Sequence, residues 1–110
     1  MDNDKIIELV KEIVYNLVVK DFLFVHNEDK DKLLSIDEMG LAIHEYPGVL
    51  TMPPKEAFES MSIYEVSPIE TNIDFDLWYD NSQSDLTLSC NLKMYEKNKI
   101  LYTIKDIHIL

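Results

Sequence analysis

Hydrophobic and polar residues alternate in two runs within residues 73–88, and a polar segment separates the runs. Successive side chains of a strand project to opposite faces, so this alternation predicts two half-buried β-strands. The separating segment Asn81-Ser82-Gln83-Ser84 is typical of a turn, which predicts a hairpin with a loop of about four residues. One face of this hairpin is hydrophobic, and the opposite face carries carboxylates and the only tryptophan of the chain: Asp74, Asp76, Asp80 and Trp78.

Helical spacing of hydrophobic residues dominates the chain before residue 61. Residues 4–20 form an amphipathic pattern that predicts a first helix. Ser35 and Glu38 have the spacing of a capping box, which predicts a second helix over Ile36–Glu45. A third helix is predicted over Lys55–Met61, after a pair of prolines that suits a first helical turn.

The hydrophobic period changes from helical to two at Ser62, which predicts consecutive strands over the rest of the chain. A polar turn is expected at Glu96–Lys99. After Lys105-Asp106 the hydrophobic phase shifts by one residue, and such a shift indicates a β-bulge. Two further segments are predicted upstream, a charged connector over His26–Lys32 and a short strand over Val49–Met52.

Helices followed by consecutive strands are typical of an α+β domain. We expect a single domain over residues 1–110, with a helical part at about 1–61 and a sheet at about 62–110. Roughly three helices should pack on one face of a four-stranded antiparallel sheet, because a sheet with one hydrophobic face must cover that face.

The formal net charge of −11 restricts the expected classes of partner more than any other property of the composition. The chain has 21 Asp and Glu residues against 10 Lys and Arg residues, and arginine is absent. Nucleic-acid binders need clustered basic residues, so we expect neither nucleic acid nor an anionic membrane as a partner. No basic residue lies between Lys55 and Lys93. This acidic segment either serves solubility or forms a surface that is complementary to a basic partner.

The start of the chain and its cysteine content favour the cytoplasm. Met1-Asp2-Asn3-Asp4 is acidic and does not resemble a secretory signal. No hydrophobic run is long enough to cross a bilayer. The single cysteine, Cys90, lies on a hydrophobic face, so we expect a small buried thiol without a disulfide.

Residues that could carry chemistry are few and scattered. The three histidines and Cys90 lack the paired spacing of metal ligands, so we expect no metal site and no cofactor. An acid-base pair of Asp85 with His108, in a small enzyme with a cone-shaped α+β fold, is an alternative that rests on fold analogy. No other catalytic residues are indicated, and we expect a protein that is not an enzyme.

Several short motifs resemble an uncharacterised family of small bacterial proteins. D-L-W ends at Trp78, S-D-L-T-L covers Ser84–Leu88, and D-I-H-x-L closes the chain at Asp106–Leu110. The resemblance covers roughly residues 33–110 and implies no assigned enzyme activity. The turn Asn81-Ser82-Gln83 departs from the more charged turn of that family.

By its size and acidity, the chain also resembles immunity proteins, which neutralise toxins from neighbouring cells. This resemblance implies a monomer that occludes a basic toxin domain, such as a nuclease. A structural adaptor or homodimer is a further alternative.

Ser84 and His108 are predicted to be structural, and Asp85 to cap backbone amides if it is structural too. The residues predicted to contact the partner are Asp74, Asp76, Trp78, Asp80 and Asp85.

Overall fold

The computed structural model describes residues 1–96 and 99–109, and within them it contains four helices and five strands. The helices are α1 Asn3–Val18, α2 Phe22–Glu28, α3 Ile36–Glu45 and α4 Lys55–Glu59. The strands are β1 Leu50–Thr51, β2 Ser62–Ser67, β3 Glu70–Tyr79, β4 Ser82–Tyr95 and β5 Lys99–Ile109. The turn predicted at Glu96–Lys99 includes Lys97 and Asn98, which lie outside the described residues.

The structure has one helix more than the sequence predicted. Lys20 adopts a positive φ of 63° and ends α1, which the hydrophobic pattern had extended to residue 20. Asp21 then starts α2, because its carboxylate accepts a hydrogen bond from the Phe24 amide at 3.2 Å. The charged connector predicted over His26–Lys32 is therefore wrong in its first residues, which belong to α2. A side-chain cap outweighed the polar composition of this segment.

The capping box at the start of α3 is confirmed. The Glu38 amide donates to Ser35 Oγ at 3.0 Å, and the Ser35 amide donates to Glu38 Oε1 at 2.9 Å. Hydrogen bonds from the Ser35 backbone and side chain to the Glu38 carboxylate lower the pKa of Glu38. The bounds Ile36–Glu45 are those that the sequence predicts, because the cap and the following Pro47 define both ends locally.

The sheet is antiparallel, and the helices pack on one of its faces, so the predicted α+β class is confirmed. Strand β3 pairs with β4 along one edge, and β4 pairs with β5. Both β1 and β2 pair with the other edge of β3, β1 at Trp78–Tyr79 and β2 at Glu70–Asp74. The sheet has five strands instead of the predicted four, because the short strand predicted over Val49–Met52 forms as β1 and joins the sheet.

The hairpin loop between β3 and β4 is shorter than predicted. Tyr79 pairs with Ser82, so the loop consists of Asp80 and Asn81 instead of four residues. Both loop residues have positive φ, 51° and 62°, as in a type I′ turn. Asp and Asn tolerate this conformation, which lets Ser82 and Gln83 continue the strand.

The predicted bulge in the last strand is confirmed at Lys105. Ser89 pairs with Asp106 and its neighbour Cys90 pairs with Ile104, so Lys105 has no partner in the register. The extra residue returns Ile107 to the hydrophobic side of the sheet, as the phase shift in the sequence required.

The hydrophobic core lies between the helices and the inner face of the sheet. Phe58 of α4 stacks on Phe75 of β3 with ring centroids 4.8 Å apart. Cys90 is a fully buried thiol, as predicted, and burial raises its pKa. No helix in the described part of the chain has the length and hydropathy to span a bilayer.

Candidate functional site

The sheet face opposite the helices, here called the open face, carries rows of polar side chains that the strand register brings together. One row joins Asp74 of β3 to Ser89 of β4 and Asp106 of β5. The next row joins Asp76 to Thr87 and His108. The open face thus comprises, from β3, β4 and β5, the residues Asn72, Asp74, Asp76, Trp78, Gln83, Thr87, Ser89, Asn91, Asp106 and His108.

Cross-strand hydrogen bonds hold the two carboxylates of β3 in place. Ser89 Oγ donates to Asp74 Oδ1 at 2.6 Å, and Thr87 Oγ1 donates to Asp76 Oδ1 at 2.9 Å. Gln83 Nε2 donates to the other Asp76 oxygen at 2.9 Å. Hydroxyl and amide donors orient both carboxylates without neutralising their charge.

The Asp74 and Asp76 carboxylates form no ion pair with a basic side chain among the described residues. In residues 1–96 and 99–109, the only side-chain ion pair of a lysine within 4.0 Å joins Lys30 to Asp31, and His108 lies within the same distance of Asp106. The acidic segment of the sequence does not produce a face without lysine, because Lys105 of β5 lines the same groove as Asp74 without forming an ion pair with it. Even so, the negative field of the two central carboxylates stays available to a partner.

Two adjoining grooves border the open face and share Tyr64 and Asp74. The first, here called the Trp78 groove, has a volume of about 420 Å³ and extends from Asp74 to Trp78 and Met61. The second, the His108 groove, has a volume of about 450 Å³ and extends from Asp74 to His108. Asp74 therefore borders both grooves, and half-buried Trp78 forms a wall of the first.

Asp80 does not share the open face with the other predicted contact residues. Its carboxylate accepts a hydrogen bond from the Val49 amide at 3.1 Å, and its own amide donates to the Val49 carbonyl at 2.8 Å. Gly48 has a φ of +105°, and a Cβ there would lie 2.5 Å from Asp80 Oδ2. The prediction that Asp80 lies on this face is wrong because a turn residue with positive φ redirects its side chain toward β1.

Asp85 also has a partner within the chain. The Tyr46 hydroxyl donates to Asp85 Oδ1 at 2.6 Å, and this hydrogen bond raises the pKa of Tyr46. The Tyr46 ring contacts the Tyr79 ring, with centroids 4.6 Å apart, on the helix side of the sheet. The expectation that Asp85 caps backbone amides is therefore wrong, since its carboxylate binds a side-chain hydroxyl.

Ser84 lies in an irregular part of β4 and bonds to the backbone of both hairpin strands. Between the pairs Asp76–Thr87 and Trp78–Gln83 the register shifts, and β4 holds more residues than β3 there. The Ser84 hydroxyl donates to the Leu77 carbonyl at 2.6 Å and accepts from the Leu86 amide at 3.1 Å. One hydroxyl thus bridges the bulge.

His108 lies in its groove close to Asp106. Its Nδ1 atom is 3.2 Å from Asp106 Oδ2 but has no hydrogen-bond partner among the described residues. Asp85 does not line the His108 groove. The supposed acid and base therefore have different neighbours.

In the described part of the chain, no three His, Cys, Asp or Glu side chains form a group that could hold a metal ion.

The comparison with known families places most of the chain in one of them. Residues 14–110 match the family described as "Domain of unknown function (DUF7668)". The chain belongs to this family. The predicted membership of an uncharacterised family is thus confirmed, and the match covers a longer segment than the predicted residues 33–110. Neither the curated proteins nor the solved structures include a match to the chain.

Sequence reasoning assigned no role in the site to several residues that complete the open face. Thr87, Ser89 and Asn91 alternate with hydrophobic residues along β4, so the period of two predicts that they share a face. Their pairing with specific carboxylates was not detectable, because it depends on the register. Tyr64 reaches the Trp78 groove through the pairing of β2 with β3, and Met61 lines the groove just before β2 begins; the sequence contains no comparable signal for this pairing.

Proposed function

We propose that this protein is an acidic binding module whose open face receives the basic surface of a partner protein. The observation that carries the proposal is the arrangement of Asp74, Asp76 and Trp78. Both carboxylates are held by hydrogen bonds, neither has an ion-pair partner in the described part of the chain, and a half-buried indole lies beside them.

Physical chemistry favours a cationic partner for such a face. Oriented carboxylates need no rearrangement on binding, so they lose little conformational entropy when the partner arrives. A net charge of −11 accelerates encounter with a positively charged surface and disfavours acidic competitors. Trp is enriched among the residues that dominate binding energy, which makes Trp78 the expected anchor of the contact.

The finer proposal is that the partner is a toxin of the nuclease type and that binding occludes its active site in the cytoplasm. Nuclease sites are basic because they must hold phosphates, so an acidic face is complementary to them. We assign the direct contact to Asp74, Asp76 and Trp78. Asp80 and Asp85 instead stabilise the end of the hairpin. Asp80 accepts a hydrogen bond from the Val49 amide, and Asp85 accepts one from the Tyr46 hydroxyl.

The test compares two charge-matched double variants as bait in a lysate of the source cells. Asp74→Asn with Asp76→Asn removes two charges from the open face, and Glu8→Gln with Glu45→Gln removes two from exposed helix positions. We expect the wild type and the helix variant to capture the same basic partner and to inhibit its nuclease activity, whereas the open-face variant should not.

The salt dependence of association provides an independent measurement. Exposed charges are screened over about 8 Å at physiological ionic strength, so raising the salt concentration should slow association with the captured partner. Cross-linking that places the partner on the helices, or equal capture by both variants, would overturn the proposal.

A further inference from the structure

We infer that the Trp78 groove is a receptor for one arginine side chain of the basic partner. This inference rests on the proposed function and specifies how the open face recognises a cation. Strand pairing along one edge of β3 is interrupted. In the described residues, β2 pairs with β3 up to Asp74 and β1 pairs again from Trp78, so no strand covers this edge of β3 across residues 75–77.

The interruption arises because the chain leaves the sheet between β1 and β2. Pro53 and Pro54 cannot donate ladder hydrogen bonds, and the chain turns into α4 before it returns as β2. Three uncovered residues are too few for a partner to add a strand of ordinary length. The space is therefore suited to a side chain entering from the edge instead of a strand lying along it.

The walls of the Trp78 groove divide into an apolar part and an anionic part. Pro54, Met61 and Trp78 offer apolar and aromatic surface, while Asp74 and Asp76 offer carboxylates. A long side chain with an aliphatic stem and a cationic head meets both requirements, since its stem packs on the apolar wall and its head reaches the acids. The volume of about 420 Å³ lies within the range of sites that enclose a small ligand.

Arginine fits these walls better than lysine does. Asp74 and Asp76 are two positions apart on one strand face, and a planar guanidinium can donate to more than one carboxylate oxygen at a time. Its flat face also stacks on an indole, and it is more weakly hydrated than an ammonium group, so burial costs less. Asp74 Oδ1 and both oxygens of Asp76 are already held by donors of the chain, which fixes the acceptor geometry.

Titration of the ¹⁵N-labelled protein with hexa-arginine and hexa-lysine peptides tests the inference without the natural partner. Trp78 is the only tryptophan, so its indole N–H signal reports directly on the groove. We expect hexa-arginine to shift this signal and the amides of residues 74–78 and 83 in a saturable manner. Hexa-lysine should bind several-fold more weakly.

Variants separate a specific site from general attraction. Asp74→Asn with Asp76→Asn should weaken hexa-arginine binding about tenfold, as expected for loss of charge-assisted hydrogen bonds. The helix variant Glu8→Gln with Glu45→Gln should change binding by less than about twofold, as is usual for distant exposed charges. Trp78→Phe should retain binding, whereas Trp78→Leu should weaken it, with folding of each variant verified by circular dichroism.

The outcomes distinguish this inference from the proposed function. Shifts spread over all acidic surfaces, or equal binding of the two peptides, would overturn the arginine site even if the partner still requires the open face. Saturable arginine binding in the groove, combined with a partner that binds the helices, would support the site and overturn the proposed function.

Discussion

Ile104 donates its backbone N–H to Asp29 Oδ2 at 3.0 Å, next to the bulge in β5. Asp29 is fully buried, and its other oxygen accepts hydrogen bonds from the amides of Asp31 and Lys32 at 3.2 and 3.1 Å. A bulge removes backbone groups from the regular ladder, and a buried amide without a partner is costly. One carboxylate thus joins the end of α2 to the irregular part of the edge strand.

The first prediction concerns this carboxylate. Asp29→Asn should lower the free energy of unfolding by about 2–3 kcal/mol, because an amide nitrogen would face backbone donors that the carboxylate now accepts. The urea midpoint, monitored by circular dichroism, measures the loss.

A neighbouring acid supplies the control for Asp29. Asp31 is exposed and accepts one side-chain hydrogen bond, from Thr103 at 3.1 Å, so Asp31→Asn should cost less than about 1 kcal/mol. Equal losses in the two variants would show that the buried bonds to the backbone are not what stabilises this corner.

The second prediction concerns the bulge in β4. Ser84→Ala removes a hydroxyl that donates to Leu77 and accepts from Leu86, and the free energy of unfolding should fall by about 1–2 kcal/mol. Ser82→Ala changes an exposed serine on the same strand and should stay within about 0.5 kcal/mol of the wild type. Hydrogen exchange of the Leu86 amide should accelerate only in the Ser84 variant; unchanged exchange would contradict the assigned role.

The third prediction concerns alkaline pH. Burial, with a smaller contribution from nearby Tyr46, raises the pKa of Tyr79 to about 12 from its ordinary value near 10. The folded protein therefore keeps a proton that the unfolded chain loses. The contribution of this group to stability is complete below about pH 10 and is lost as the pH rises towards 12.

Tyr79→Phe tests the alkaline effect. The variant lacks the hydrogen bond from the Tyr79 hydroxyl to the Ile43 carbonyl at 2.6 Å, so it should be about 1 kcal/mol less stable at neutral pH. Its stability should then decline less steeply between pH 10 and 12. Some decline should persist, because burial also raises the pKa of Tyr102 and Cys90. Parallel pH profiles of the wild type and Tyr79→Phe would refute the prediction.

The fourth prediction concerns the pair of Tyr46 and Asp85. Asp85→Ala and Tyr46→Phe should each lower the urea midpoint, and the double variant should lose less than the sum, because both remove the same hydrogen bond. Asp85→Ala should leave the selectivity of partner binding unchanged, since Asp85 is directed to the helix side. Additive losses, or an altered choice of partner, would count against this structural role.

Local patterns predicted much of the fold. The capping box defined α3 because its hydrogen bonds join residues three positions apart. The phase shift near Lys105 predicted the bulge because a strand's side chains alternate strictly between two faces. Alternation also placed Asp74, Asp76 and Trp78 together opposite the hydrophobic face, and the register shows the same arrangement.

Conformations set by a single residue were harder to predict. The hairpin loop shortened because Asp80 and Asn81 both accept positive φ, and this turned the Asp80 side chain towards Val49. Asp85 left its expected position because Ser84 holds a bulge just before it. In both cases the polar residue was recognised in the sequence, but its direction depends on backbone angles that a period of two does not specify.

The sequence by itself determined the class of the fold, the face on which Asp74 and Asp76 of β3 lie, and the strong negative charge from which a cationic partner is proposed. Only the tertiary structure decided which carboxylates have no ion-pair partner among the described residues and where a groove opens beside them. Periodicity acts between residues a few positions apart, so it can be read along the chain. Hydrogen bonds such as Asp29 with Ile104, and the interruption between β1 and β2, join residues distant in sequence and exist only once the sheet has formed.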